Sequence, residues 1–342
     1  MRVLLVGTGV QPIPPTGYGG VERTIAEYAT ALRSAGQDCQ VLNEVRTRRG
    51  IDEYRFAWRL PKLISGAQFD VLHASTPVVA NRLAMMRRPF VYTSHSRHWF
   101  ERSGFRERFG FWLERRAVHR ASATVALTSR LADTIRTETG SRGPRRLEVI
   151  PIGVDTDRFR PDWTSRNGRR VLGVGVVRPF KRWTLAAQAL RGTGATLTIV
   201  GPIPDPAYAK EVRTAGDAVQ LVGEVDEPTL ARLYAESDLL VHPSRVELIA
   251  GAVLQGLSAA LPIVGAAPVA DLVQEGETGF VSPPRATESE VANHFSSSAR
   301  RLLGDEQLRR RCGEAARRSA IERFGWPTVV ERHLALYRSL VP

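Results

Sequence analysis

The sequence predicts two doubly wound α/β domains, each a parallel sheet with helices on both faces. Three observations carry this reading. Short apolar runs recur along the chain with helical stretches between most of them. The runs are continuous and do not alternate with polar residues, as expected of strands buried on both sides. And 342 residues exceed one comfortable core, while 43% apolar residues suffice to fill two.

Residues 3 to 7 form the first buried-type strand, followed by a loop from Thr8 to Gly20 with three prolines and four glycines. A helical pattern starts at Val21. Gly7 and Gly9 hint at a dinucleotide fingerprint, but Pro12 stands where its third glycine belongs and the helix begins too late. Further strands are expected at Cys39 to Leu42, Val71 to His73, Phe90 to Thr93 and Thr124 to Leu127. A short polar linker, Asp162 to Arg169, precedes strands at Arg170 to Val177, Thr196 to Gly201, Val219 to Gly223, Asp238 to Val241 and Leu261 to Gly265. No repeat of solenoid length occurs.

The formal charge of +13 rests almost wholly on arginine, because lysine occurs only at positions 62, 181 and 210. This balance suits anionic partners such as a nucleotide sugar, a phospholipid headgroup or nucleic acid, and arginine bias can equally be genomic habit. Nothing resembles a nucleic-acid module, so no nucleic-acid partner is expected. Cys39 and Cys312 lie far apart with no CxxC spacing, which implies a reducing compartment and no disulfide framework. The chain passes from Met1-Arg2 straight into its first strand, so a cytoplasmic protein is expected.

The segment Trp99 to Arg120 sets Phe105, Phe109, Trp112 and Leu113 among Arg102, Arg106, Arg108, Arg115 and Arg116. It could meet a membrane surface or an anionic acceptor. The favoured expectation is plainer: aromatics packed on the sheet and solvated arginines.

The stretch from Val241 to Val264 organises the rest. It reads strand, loop, helix, strand, and a helix opening just after a strand offers unpaired N–H groups and a positive dipole end to a phosphate. Glu247 stands in that loop. Gln255 lies eight residues on, about 80° around a helix at ~100° per residue, so both side chains can lean toward one ligand.

Pro243, Ser244, Glu247, Pro262, Ile263 and Val264 resemble the signature of the retaining GT-B glycosyltransferases of family 4. In the departures from it, Gln255 replaces the second Glu, Leu248-Ile249-Ala250 replace Gly-aromatic-Gly, and Ala260 replaces the Gly before Leu-Pro. The resemblance implies two Rossmann-like domains facing each other across a cleft. Residues 1–161 would form the acceptor side, 162–324 the nucleotide-sugar domain, and Phe324-Gly325-Trp326 would lead a terminal segment, 325–342, back to the first domain.

It further implies transfer of a sugar from a UDP or GDP donor with retention of anomeric configuration, without a cofactor or metal, to a small-molecule or glycolipid acceptor, with peripheral membrane contact possible. Lys181 matches the cation that neutralises the donor diphosphate. Val176 occupies the arginine position beside it, and Arg178, two residues along an extended segment, could reach the same phosphates. The loop Gly17 to Arg23 resembles the one whose Gly19-Gly20 faces the diphosphate; an ordinary turn is the alternative. His95 falls where the family keeps a His beside the donor sugar. His73 also ends a strand.

The loop containing Val222 and Gly223 resembles the nucleobase site. Leu248, Ile249, Ala250 and Gly251 fall in the donor loop, and Gln255 would take the ribose hydroxyls. Asp155 and Asp157 spell Asp-x-Asp but lie in a turn with no further carboxylate to complete an oxygen cage, so a structural role is expected. The alternative function is a GT-B chain whose donor site has decayed, acting as a nucleotide-binding or partner subunit.

Overall fold

The computed structural model describes residues 1–16, 19–45, 51–95, 97–99, 104–247 and 250–341. The chain divides into two compact units, one formed by Met1–Gly153 with Trp326–Pro342, the other by Val154–Gly325.

The first unit runs β1 (Arg2–Val6), α1 (Gly20–Ser34), β2 (Asp38–Leu42), α2 (Asp52–Ile64), β3 (Val71–Ala74), α3 (Pro77–Met85), β4 (Val91–Ser94), α4 (Phe105–Arg120), β5 (Ala123–Ala126), α5 (Ser129–Thr139) and β6 (Leu147–Val149). Its six parallel strands lie in the order β2-β1-β3-β4-β5-β6. Successive residues of β1 serve opposite faces. Leu4 and Val6 join the core under Phe56, Leu60 and Leu83 of α2 and α3. Val3 and Leu5 join the core under Ile25, Tyr28 and Leu32 of α1. This is why the strands read as unbroken apolar runs.

The second unit runs β7 (Arg170–Val174), α6 (Trp183–Ala189), β8 (Thr196–Val200), α7 (Pro206–Ala215), β9 (Val219–Gly223), α8 (Glu227–Glu236), β10 (Leu239–His242), α9 (Gly251–Ser258), β11 (Ile263–Gly265), β12 (Gly279–Val281), α10 (Glu288–Gly304) and α11 (Glu306–Ser319). Its parallel sheet has the order β12-β11-β10-β7-β8-β9. A final helix, α12 (Trp326–Arg338), belongs to the first unit, where Val329, Val330, Leu334 and Tyr337 join the α1 side of the core.

Local signals place many helix starts. Thr76, Thr128, Asp205, Asp226 and Asp305 each accept a hydrogen bond from a first-turn N–H, and Thr287 with Glu290 forms a full capping box before α10. Helices α1 and α9 are among those without a side-chain cap. Two edge strands, β6 and β12, have no counterpart among the expected strands: each has only three residues, too few to make a periodic signal. The change of unit at Gly153–Val154 precedes the polar segment 162–169 because Val154 N–H bonds Phe324 O and Phe159 packs edge-on against Tyr234.

Candidate active site

The second sheet reverses its winding between β7 and β10: β8 and β9 lie on one side of that pair, β11 and β12 on the other. Ligands of open α/β sheets bind beyond the carboxyl ends of strands at such a switch point. Lys181 follows β7 and Glu247 follows β10. The Lys181 Nζ donates to Glu247 Oε2 at 2.7 Å, and the same oxygen lies 2.9 Å from His242 Nε2 at the end of β10.

Burial alone would raise the Glu247 carboxyl, but the hydrogen bond from His242 and the charge of Lys181 outweigh it and hold it down to about 2. Burial lowers the pKa of His242, against the pull of Glu247, so the imidazole is neutral at neutral pH and its Nε2–H is the donor. Lys181 retains two further N–H bonds for a ligand.

Two cross-links hold this arrangement. Arg182, buried with φ 53°, donates from Nε to the Pro243 carbonyl at 2.6 Å, and Arg245 N–H donates to the Phe180 carbonyl at 2.9 Å. Glu288, the first residue of α10, receives both Arg182 and Arg245. The loops after β7 and β10 are thus bolted together, which keeps Lys181 beside Glu247. Gly175, at φ 149°, makes room for the lysine stem: a Cβ there would stand 3.3 Å from Lys181 Cε.

Sequence reasoning did not single out His242 or Arg182. A histidine before proline at a strand end carries no distinctive spacing, and Arg182 is marked only by following Lys181.

Other expected residues fall as follows. Gln255 shares one face of α9 with Gly251, four residues earlier, and its side chain has no hydrogen-bond partner among the described residues. Ala250 occupies the N-cap of α9; Leu248 and Ile249 lie outside the described residues. Val222 is exposed, and Gly223 ends β9 with φ 83°. Arg178 is exposed and makes no side-chain bond among the described residues, so the structure leaves it outside the Lys181–Glu247 pair. Asp155 accepts from the N–H groups of Asp157 and Arg158, and Asp157 pairs with Arg160, consistent with a turn. No group of three or more His, Cys, Asp or Glu able to hold a metal occurs among the described residues.

In the first unit, Gly19 is the N-cap of α1 and Gly20 its first residue, and no described atom lies within 4 Å of the point where a Gly20 side chain would start. Glu22, one turn in, is buried and accepts from the Thr8 hydroxyl at 2.7 Å. His95 follows β4. Burial, with the nearby His333, lowers its pKa to about 4, and its buried Nδ1 has no hydrogen-bond partner among the described residues. His73 is structural, joining Tyr337 of α12 at 2.5 Å and Thr93 of β4 at 2.7 Å.

A cavity of about 600 Å³ opens beyond the carboxyl ends of β1, β3 and β4, lined by Glu22, Glu53, Thr76, His95, Phe105 and Phe109 among others. Burial and the charge of Glu22 raise the Glu53 carboxyl, against the hydrogen bond from Thr76.

The structure corrects the expectation for α4. Phe105, Phe109 and Trp112 face outward, and the buried side of the helix is Gly110, Glu114, Ala117 and Val118. Glu114 is the reason: its Oε2 accepts from the Tyr92 hydroxyl at 2.8 Å and the Trp99 indole at 3.2 Å, so the sheet-facing stripe is taken by a carboxylate and small residues.

Comparison with known proteins agrees with this architecture. The family model described as Glycosyltransferase Family 4 matches residues 18–158, and that described as Glycosyl transferases group 1 matches residues 171–304. The chain is 26% identical over 371 residues to the sulfoquinovosyl transferase SQD2 of Arabidopsis thaliana, covering 93% of this chain and 70% of that protein. Among solved structures, the sucrose-phosphate synthase of Thermosynechococcus elongatus superposes with a TM-score of 0.83 at 18% identity, over 99% of this chain and 98% of that one. HepE of Anabaena in complex with UDP and glucose gives 0.74 at 19%, over 99% and 100%.

Fold and family models together define a GT-B glycosyltransferase. The chain belongs to glycosyltransferase family 4.

Proposed function

We propose that the protein moves a sugar from a nucleoside diphosphate sugar, with UDP or GDP as the nucleotide, to a hydroxyl acceptor held in the first-unit cavity, retaining anomeric configuration and using protein cations in place of a metal. The carrying observation is the Lys181–Glu247–His242 group at the switch point. The bond from the anomeric carbon to the diphosphate oxygen breaks and its electron pair leaves with the diphosphate. The acceptor oxygen attacks from the same face, and its proton passes to the departing phosphate oxygen. Charge therefore grows on the diphosphate, where fixed positive groups lower the barrier.

Lys181 and the first-turn N–H groups of α9 and α1, the latter at Gly19-Gly20, would supply that charge, with Arg178 as a further cation. Glu247 would bind hydroxyls of the donor sugar, oriented by His242. His95, neutral and with a buried nitrogen that has no partner among the described residues, would hydrogen-bond a sugar hydroxyl. Gln255 would take the ribose, and the backbone at Val222 and Gly223 the base. HepE's complex with UDP and glucose supports this donor class.

The test is release of nucleotide from UDP- and GDP-sugars by purified protein in the presence of a chelator. Release that is lost in Glu247→Gln and reduced in Arg178→Ala is expected. Thermal stabilisation by UDP or GDP without any turnover, with a panel of acceptors present, would favour the decayed-site reading. Release that stops with chelator would overturn metal independence.

A further inference from the structure

The outward aromatics of α4 are part of a larger surface. Helix α3 packs against both α2 and α4, and these three neighbours carry Tyr54, Trp58, Met85, Phe105, Phe109 and Trp112, all exposed. Phe105 is 85% and Trp58 74% accessible, values usual for a lysine and costly for a large apolar ring. Phe109 stacks on Trp112 with centroids 5.9 Å apart, and the guanidinium groups of Arg82 and Arg116 sit over Trp58 and Trp112 at 5.0 and 5.6 Å.

Beside Trp112 runs a groove of about 660 Å³ lined by Arg115, Arg116, His119, Arg120 and Arg142, with no carboxylate among its described lining residues. Several exposed arginines elsewhere pair with acids, among them Arg2 with Asp70, Arg136 with Asp133 and Arg310 with Glu314. Arg115, Arg116, Arg120 and Arg142 have no carboxylate partner among the described residues.

We propose that this face docks the protein on an anionic lipid bilayer, with the aromatics entering the headgroup boundary and the arginine groove holding lipid phosphates. Aromatic rings beside unpaired arginines match the two components of such a surface, an apolar layer under negative charge. A second copy of the chain fits poorly, because it brings the same arginines and the same net charge of +13. No helix among the described residues is long and apolar enough to cross a membrane, so the contact is peripheral. Tyr54, Phe105 and Phe109 also line the 600 Å³ cavity, so docking brings that cavity to the lipid surface. The proposal is independent of the donor chemistry.

The test is co-sedimentation of the full chain with phosphatidylcholine vesicles made with and without phosphatidylglycerol. Binding is expected only to the anionic vesicles, falling as salt is raised. The double variants Trp58→Ala/Trp112→Ala and Arg115→Gln/Arg116→Gln should each weaken it by about tenfold or more, with unchanged melting temperature and unchanged nucleotide release. Absent binding, or undiminished binding by both variants, overturns the proposal. So does binding of glycerol phosphate by a wild-type protein that leaves the anionic vesicles unbound, which would assign the groove to a soluble anion. Light scattering that shows a wild-type dimer lost in the tryptophan variant would assign the face to self-association and overturn it as well.

Discussion

Replacing Lys181 with Met keeps the length and apolar stem of the side chain and removes its charge, and the structure sets the consequence. Lys181 and Glu247 side chains are 8% and 14% exposed, so solvent screens their attraction little. Removing one member of a buried pair costs roughly 3–5 kcal/mol because the other charge is left without its partner. Glu247 keeps the hydrogen bond from His242, which points to the lower end, ~3 kcal/mol. A loss of that size in a domain of this class lowers its melting temperature by roughly 6–12 °C.

The carboxyl of Glu247, held down to about 2 in the native protein, should rise. Its stabilising contribution, present above the unfolded carboxylate range and lost as pH falls through about 2, shrinks accordingly. Urea unfolding of Lys181→Met, Glu247→Gln and the double variant forms the cycle, with an expected coupling of ~2 kcal/mol. UDP or GDP affinity, measured on the same proteins by calorimetry, should fall in Lys181→Met by at least tenfold, about 1.4 kcal/mol. A coupling near zero together with unchanged nucleotide affinity would refute both the buried pair and its place in the donor site.

Two further outcomes follow from the same coordinates. Gln255→Glu should tighten nucleotide binding about fivefold, because a carboxylate accepts hydroxyl bonds about 1 kcal/mol more strongly than a neutral amide; calorimetry giving equal or poorer affinity would remove Gln255 from the ribose. His95 and His333 are lowered to about 4, both chiefly by burial and His95 also by the charge of His333, so the unfolded chain binds more protons below its ordinary value near ~6.5. Stability should therefore be lost as pH falls from about 6.5 toward 4, by ~2 kcal/mol per histidine at pH 5, and urea midpoints that stay flat over that window would contradict the burial.

The parts of this protein that were legible in its sequence are those where one residue type answers to one force. Strands buried on both faces show as unbroken apolar runs, so ten of the twelve strands among the described residues could be placed. The three-residue edges β6 and β12 carry too little apolar surface to announce themselves. Glu247 and Lys181 were legible as chemistry, but not as a contact spanning 66 residues, because that contact depends on how Arg182 and Arg245 tie two loops whose spacing is free to vary. Helix α4 failed for a related reason. Hydrophobic periodicity assumes that rings seek the core, whereas Glu114, fully buried and bonded to Tyr92 and Trp99, occupies the stripe they would have used. A buried carboxylate of that kind is costly unless its acceptors are filled, so the polar cluster under α4 fixes the rotation of the helix and thereby turns Phe105, Phe109 and Trp112 outward. Glu114→Leu, which removes the need for that orientation, should let the helix roll and quench the exposure of Trp112 to aqueous iodide. Unchanged quenching in a folded variant would mean that the aromatics face outward for a reason other than the carboxylate.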